Sequence, residues 1–316
     1  MKYQTGAYSS SENLLQLLKD KLVVEGWAVD LHAYVNSADT TFGKRLHIQK
    51  NGMFFSLRNF DDYTPTLDYK ATGFGKTGID VRANDSFSAA AKWNEQPGTP
   101  FVRMYAQTGS SGIFHLFTTD TKVLLIAEYE TERYSHIIFG AHDTLDPGSG
   151  GQFLTGASGT FSSTWNIPFD TSTATTACKI AKSDFAGWVL GFAYPADPGQ
   201  GICSSFNYNN AIRVPNFSPS STTTVGDIGS SARSSNRLNG LSALMPIYTF
   251  VKHEGAYCPF AEFDDLYFIN CDLMTAEQTY IVGNRTYKIF PFFGKQTPAV
   301  STQPLFNLGF GVEVDA

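Results

Sequence analysis

The sequence has few charged residues and no concentration of positive charge. Asp, Glu, Lys and Arg make up 16% of its 316 residues, and 23 basic against 29 acidic side chains give a formal net charge of −6. A nucleic-acid partner is disfavoured, because phosphate binding requires a concentrated basic surface. Low charge is also typical of chains that bury surface in permanent contacts, whose buried centres are depleted in charged residues.

Long apolar runs are absent as well. No stretch of about 18 uncharged apolar residues, the length of a membrane-spanning helix, occurs in the chain. The first residues, MKYQTGAYSSSEN, carry no apolar segment after their lysine. We therefore expect no secretory signal, no membrane span and synthesis in the cytoplasm.

Cysteine is scarce and widely spaced. None of the four cysteines forms a C-x-x-C pair, and a disulfide scaffold is not expected in a long cytoplasmic chain. We predict that they are buried free thiols. A zinc site from His253, Cys258 and Cys271 has looser spacing than metal-binding pairs usually show. We therefore predict no metal and no cofactor. The four cysteines are Cys178, Cys203, Cys258 and Cys271.

Signature motifs of common enzymes are also missing, since the chain has neither G-x-S-x-G nor H-E-x-x-H. The segment GFGKTG at residues 73–78 partly matches two nucleotide-binding patterns. However, Lys70 stands where a phosphate loop needs its first glycine, and the residues after Gly78 are not helical as a dinucleotide fingerprint requires. We interpret this segment as a glycine-rich loop.

Aromatic residues and glycine, in contrast, are abundant. The chain contains 26 Phe, 15 Tyr and 28 Gly, a composition typical of proteins rich in strands and turns. The strongest hairpin signal is Asn51-Gly52, which suits a type I′ turn between RLHIQK and MFFSLRNF. Gly283-Asn284 predicts a second hairpin near the C terminus. Apolar side chains for the first hairpin come from Leu46, Ile48, Phe54 and Leu57.

One helix is predicted over about residues 10–25. Ser9 and Glu12 have capping-box spacing, and Gly26 follows as a stop signal. A stripe of leucines repeats on one helical face and should pack against a sheet. These are Leu14, Leu15, Leu18 and Leu22.

Further strands predict a mainly β fold of antiparallel meanders or a sandwich, with one N-terminal amphipathic helix and long polar loops. Four candidate strands follow one another between residues 100 and 140, as in an antiparallel meander. Strands resume from Leu244, and a single helical turn is predicted to begin at Thr275. The Gly-, Ser- and Thr-rich middle divides the chain into residues 1–142, a loop-rich insertion at 143–240, and C-terminal hairpins at 241–316.

Two groups of titratable residues are candidate chemical sites. His115, His136, His142 and Asp143 lie within one meander and could converge on a metal, but buried histidines without a metal fit the same pattern. Adjacent aspartates on a strand point to opposite faces, which disfavours a pair of glycosidase carboxylates. The candidate carboxylates are Glu262, Asp264 and Asp265.

The abundance of aromatic rings points instead to binding. Rings on loops can stack on sugars or fill pockets of neighbouring subunits. Within the polar middle, Trp165 and Tyr208 are the predicted binding residues.

A resemblance to a known family is carried by two C-terminal segments. They are residues 265–295 (DLYFINCDLMTAEQTYIVGNRTYKIFPFFGK) and 306–316 (FNLGFGVEVDA). They are similar to the closing hairpins of virion structural proteins from long-tailed bacteriophages. The leucine helix ending in EGW, the RYSHIIFG strand and the GGQFLTG stretch are similar too. The final GVEVDA is acidic, whereas the family usually ends in a basic strand.

The resemblance implies a tail or baseplate component that is mostly β and present in several symmetric copies. It carries over no catalytic residues. We therefore expect a non-enzymatic virion protein of the phage tail, whose partners are its own copies and neighbouring tail or baseplate proteins. The alternative is a receptor-binding module that recognises a host glycan through Trp165. A third hypothesis is a polysaccharide-cleaving enzyme using Glu262 with Asp264 or Asp265.

Overall fold

The described chain is mainly β and folds into three antiparallel sheets with one α-helix, which confirms the predicted fold class. The computed structural model describes residues 1–35, 37, 43–61, 77–98, 101–106, 111–141, 143–144, 153–157, 179–181, 202–204, 241–253, 256–271, 273–291 and 308–315.

The N-terminal sheet is a five-stranded meander in which each strand pairs with the next along the chain. At the predicted hairpin, Asn51 and Gly52 have φ values of 52° and 78°, which confirms the turn with two positive φ angles. Ile48 pairs with Phe55, so Phe55 enters the core, whereas Phe54, one of the four apolar side chains expected from this hairpin, is only half-buried. The strands are β2 (Ala28–Tyr34), β3 (Lys44–Lys50), β4 (Met53–Asp61), β5 (Thr77–Asn84) and β6 (Val102–Ala106).

The helix α1 spans Ser11–Val24, and all four predicted leucines are buried. Its N-cap is Ser10 rather than the predicted Ser9, because the Asn13 N–H donates to the Ser10 hydroxyl. Glu12 forms an ion pair with Lys44 instead of closing a capping box. Gly26 adopts a φ of 85°, as a left-handed helix stop requires.

The central sheet has six strands in the order β1, β7, β8, β9, β11, β12. Three strands of the predicted meander, β7 to β9, pair as expected. The fourth, β6, belongs instead to the N-terminal sheet, because the unpredicted strand β5 pairs with it, and β1 takes the place beside β7. The strands are β1 (Lys2–Tyr8), β7 (Gly112–Thr118), β8 (Lys122–Glu130), β9 (Arg133–Ala141), β11 (Phe153–Ala157) and β12 (Lys179–Ala181).

The C-terminal sheet has the order β13, β14, β15, β18, β17, β16, with β10 paired to β15. The second predicted hairpin joins β16 to β17, and Gly283 at its turn has a φ of 62°. The strands are β10 (Asp143–Thr144), β13 (Ile202–Ser204), β14 (Leu244–His253), β15 (Ala256–Asn270), β16 (Thr279–Val282), β17 (Arg285–Pro291) and β18 (Leu308–Val314).

Both faces of the central sheet are covered. One face packs Leu116, Leu125 and Phe139 against α1 and the N-terminal sheet in a single apolar cluster. The opposite face meets the C-terminal sheet, where the Phe290 ring lies 5.7 Å from that of Phe117. Because side chains alternate along a strand, neighbouring residues of β7 to β9 serve different cores. Within the described ranges, no helix has the length and apolarity to cross a membrane.

Candidate functional site

A group of polar side chains lies where the central sheet meets the C-terminal sheet, and we call it the His115 cluster: Tyr3, His115, Glu128, Tyr134 and Glu277. Strand register explains how four of them meet. Ile113 pairs with Glu128 and Glu128 pairs with Tyr134, so His115 on β7 is a diagonal neighbour of Glu128 on the same face. Tyr3 extends this face on β1.

Glu277 joins the cluster from the turn before β16. The Gln278 N–H donates to the Thr275 carbonyl at 3.3 Å, and Glu277 has a φ of 61°. A residue in this left-handed region ends helical geometry. The predicted helical turn at Thr275 is therefore wrong, and a β-turn takes its place. Lys288 holds this turn by donating to the Glu277 carbonyl at 3.2 Å.

Distances within the His115 cluster define a compact polar centre. His115 Nδ1 lies 2.9 Å from the Tyr3 hydroxyl, while His115 Nε2 lies 3.4 Å from Glu277 Oε1. The Tyr134 hydroxyl donates to the same Glu277 oxygen at 2.9 Å. One potential ligand atom from each of His115, Glu128 and Glu277 lies within 4.8 Å of the others.

Burial sets the protonation of this centre. His115 is 1% exposed, and burial lowers the pKa of its imidazole, favouring the neutral ring. Burial also raises the pKa of Glu128, and the nearby charges of Glu277 and Glu132 act in the same direction. The Glu277 side chain is 35% exposed, so the cluster reaches solvent at that residue.

The convergence of histidines that the sequence allowed as an alternative is not found among the described residues. His136 lies on the same face as His115, but Ile126 on β8 stands between them in the register. Its ring packs edge-on against Phe310 with centroids 4.9 Å apart. Asp143 pairs with Glu262 in the C-terminal sheet. His142 lies outside the described residues.

The carboxylates of β15 form ion pairs. Lys122 Nζ contacts the Asp264 carboxylate and lies 3.8 Å from Asp265 Oδ2. We expected the two aspartates to point to opposite faces of the strand, and both carboxylates nevertheless reach the same lysine. A register shift between Pro246 and Ile247 breaks the regular alternation here. These ion pairs join the central and C-terminal sheets.

A second polar group, the Asp80 cluster (Arg58, Asp80, Trp93 and Arg103), lies on the face of the N-terminal sheet that points away from the leucine core. Asp80 accepts from Arg58 Nε at 3.0 Å and from Arg103 Nε at 2.7 Å. Arg58 also lies 4.3 Å from the Trp93 ring centroid, in cation–π geometry. All four residues are buried, so this is an enclosed ion-pair network.

The remaining predicted site residues have mixed outcomes. Trp165 and Tyr208 lie outside the described residues, so their proposed role in binding stays a prediction. Cys271 is a buried free thiol, as predicted. The side chains of the other three cysteines lie outside the described part of the chain.

Among the residues of the two clusters, sequence reasoning singled out only His115. Glu128 could have been found beside His115, once the hairpins joining β7, β8 and β9 fix the register. Glu277 lies far along the chain, and no local pattern links it to His115. Comparisons with known proteins add no relative: no family model matches this chain, and no curated protein matches it significantly.

Proposed function

We propose that this chain is a non-enzymatic structural protein of a bacteriophage tail or baseplate, which assembles with its own copies and with neighbouring tail proteins. The observation that carries the proposal is the projecting hairpin of β16 and β17. Ile281 and Val282 are adjacent in β16, yet both are exposed, by 63% and 44%. Since neighbouring strand residues point to opposite faces, both faces of this hairpin end reach solvent.

The edge of the C-terminal sheet adds a second binding element. β16 is the last strand in the described order of that sheet, and no described strand pairs with its outer side. An open edge offers backbone N–H and C=O groups to a strand of another chain. Exposed apolar side chains beside such an edge favour permanent pairing of the edge with another chain over its exposure to water.

Other features support assembly as well. Two further apolar side chains, Leu241 and Leu273, are also exposed. Leu241 lies beside the buried Ser242, and Leu273 is the second residue beyond Cys271. Both flank the small core formed by Met274, Tyr280 and neighbouring residues. The C-terminal segment that carries the resemblance to virion proteins includes this hairpin. Low net charge density is compatible with burial in a multi-subunit ring.

The test replaces an apolar contact with a charge. Ile281→Lys should leave the fold intact, since the side chain is exposed, but should reduce self-association and incorporation into particles. Val24→Lys is the control, because Val24 is also apolar and lies 80% exposed at the end of α1, away from the hairpin. Analytical ultracentrifugation and immunogold microscopy of particles provide the measurements. A wild-type chain that stays monomeric at high concentration and is absent from particles would overturn the proposal.

A further inference from the structure

We infer that the His115 cluster binds one divalent transition-metal ion, with Zn²⁺ the best chemical match, and that the ion joins the central sheet to the C-terminal hairpin. The ligands would be His115 Nε2 and the carboxylates of Glu128 and Glu277. This inference is independent of the proposed assembly role.

The donor set and its spacing suit such an ion. Imidazole with carboxylates is a common ligand set for zinc, whereas Ca²⁺ and Mg²⁺ prefer oxygen ligands alone. Two ligands on a tetrahedral zinc ion lie roughly 3.4 Å apart, given metal–ligand bonds of about 2.0 to 2.2 Å. The atoms of His115, Glu128 and Glu277 already lie within 4.8 Å of one another. Small side-chain rotations would therefore close the site.

The second observation is that one ring nitrogen of His115, Nε2, has no hydrogen-bond partner. Its Nε2 is buried, faces the Glu277 carboxylate at 3.4 Å and makes no well-aligned hydrogen bond. Buried polar atoms normally have a partner, and a metal ion would supply one. The other ring nitrogen is held at 2.9 Å by the Tyr3 hydroxyl. Such an outer contact fixes the ring and directs Nε2 toward the metal, as in known metal sites.

The local charge also favours a cation. Glu128, Glu132 and Glu277 gather at this end of the sheet, and the Glu132 N–H donates to Glu128 Oε1 at 2.8 Å. Lys288 is a nearby cation, and its charge lowers the pKa of His115. A divalent ion held by Glu128 and Glu277 would place positive charge between the two carboxylates. Exposure of Glu277 gives the ion a route from solvent.

The positions of the three ligand residues define the structural role of the ion. His115 and Glu128 lie on adjacent strands of the central sheet, whereas Glu277 lies in the turn that leads into β16. The ion therefore cross-links the two sheets and stabilises the orientation of the projecting hairpin. Binding to the folded state alone raises stability in proportion to the logarithm of the metal concentration.

The experiment uses the full chain after dialysis against EDTA. Zn²⁺ is titrated in by isothermal calorimetry, thermal unfolding is followed with and without the metal, and X-ray absorption reports the ligand atoms. Glu128→Gln and Glu277→Gln test the ligands, and Tyr3→Phe tests the positioning residue. Glu130→Gln is the matched control, because Glu130 lies on the same strand and pairs with Arg133 instead.

We expect one Zn²⁺ per chain, a higher Tm with metal, and nitrogen and oxygen ligands without sulfur. Each ligand variant should weaken binding by at least about tenfold, and Tyr3→Phe by roughly 10- to 100-fold. The Glu130→Gln variant should bind as the wild type does. Absence of saturable binding, sulfur ligation, or unchanged affinity in both ligand variants would each overturn the inference.

Discussion

The Asp80 cluster and the His115 cluster are both polar groups built on sheet faces, but they differ in burial and in how their ionisable groups are satisfied. Asp80 is fully enclosed, and both of its oxygens accept hydrogen bonds from guanidinium groups. In the His115 cluster, a buried ring nitrogen lacks a hydrogen bond and a carboxylate reaches solvent. Trp93 Nε1 in the Asp80 cluster is also buried without a hydrogen bond, so the contrast lies in the ionisable groups. A carboxylate whose two oxygens are both paired stabilises the fold, whereas an unpartnered ring nitrogen beside a solvent-exposed carboxylate is suited to a ligand.

The charge around the two clusters differs in sign as well. Arginines surround Asp80, and the Arg82 guanidinium nearby donates to the Gln96 carbonyl at 2.6 Å. Carboxylates dominate around His115. Desolvated charges of one sign require a counter-charge, which Asp80 supplies in the first cluster. In the His115 cluster, the same need for a counter-charge favours the binding of a cation. The two clusters should therefore differ in three measurable effects on stability.

The largest effect is expected from Asp80→Asn. This change removes the carboxylate that Arg58 and Arg103 share, and breaking a buried ion pair by deleting one partner costs about 3 to 5 kcal/mol. Urea unfolding followed by circular dichroism measures the loss. Glu95→Gln serves as control, since its ion pair with Lys92 is exposed and should contribute less than about 1 kcal/mol. A small loss for Asp80→Asn would remove the contrast between the clusters.

The next largest effect is a dependence of folding stability on pH, which tests the positive charge around the Asp80 cluster. His47 lies on the same sheet face, and burial, with help from Arg45 and Arg82, lowers its pKa to about 4. Between that value and the ordinary pKa of about 6.5, the unfolded chain binds a proton that the folded chain does not. Stability should therefore fall as pH drops through this window, by about 3 kcal/mol from His47 alone.

His47→Gln isolates this contribution. Glutamine can still hydrogen-bond to Ser56, which His47 contacts at 2.7 Å, but it does not titrate. Urea unfolding of both proteins at several pH values should show a shallower slope for the variant. His136, whose pKa burial lowers to about 3, keeps part of the slope in both proteins. Equal slopes would mean that His47 takes up a proton in the folded state without penalty.

The two clusters also show what sequence reasoning can and cannot reach. Local signals located α1 and both hairpins, because leucine spacing, a glycine helix stop and the Asn-Gly and Gly-Asn turns act over a few residues, although the predicted capping box did not form. The strand β5 alternates apolar residues with Asp80 and Arg82, which is the period-two pattern of a strand, so a local signal for it was present and was not used. The burial of Asp80 and Arg82 depends on partners such as Arg58 and Trp93 from other elements. Glu277 reaches His115 only through the packing of two sheets, which no local pattern encodes.

The smallest effect is expected from Tyr134→Phe, measured in EDTA to keep metal away. The hydroxyl donates to Glu277 at 2.9 Å, and losing one such bond beside solvent should cost about 1 kcal/mol, several-fold less than Asp80→Asn. Tyr267→Phe is the control, because that hydroxyl bonds to the Asp264 carbonyl away from the cluster. A double-mutant cycle with Glu277→Gln should assign most of the loss to this contact. A coupling energy near zero would show that the hydroxyl and carboxylate act separately, whereas one as large as the loss at Asp80 would make the His115 cluster a closed structural network too.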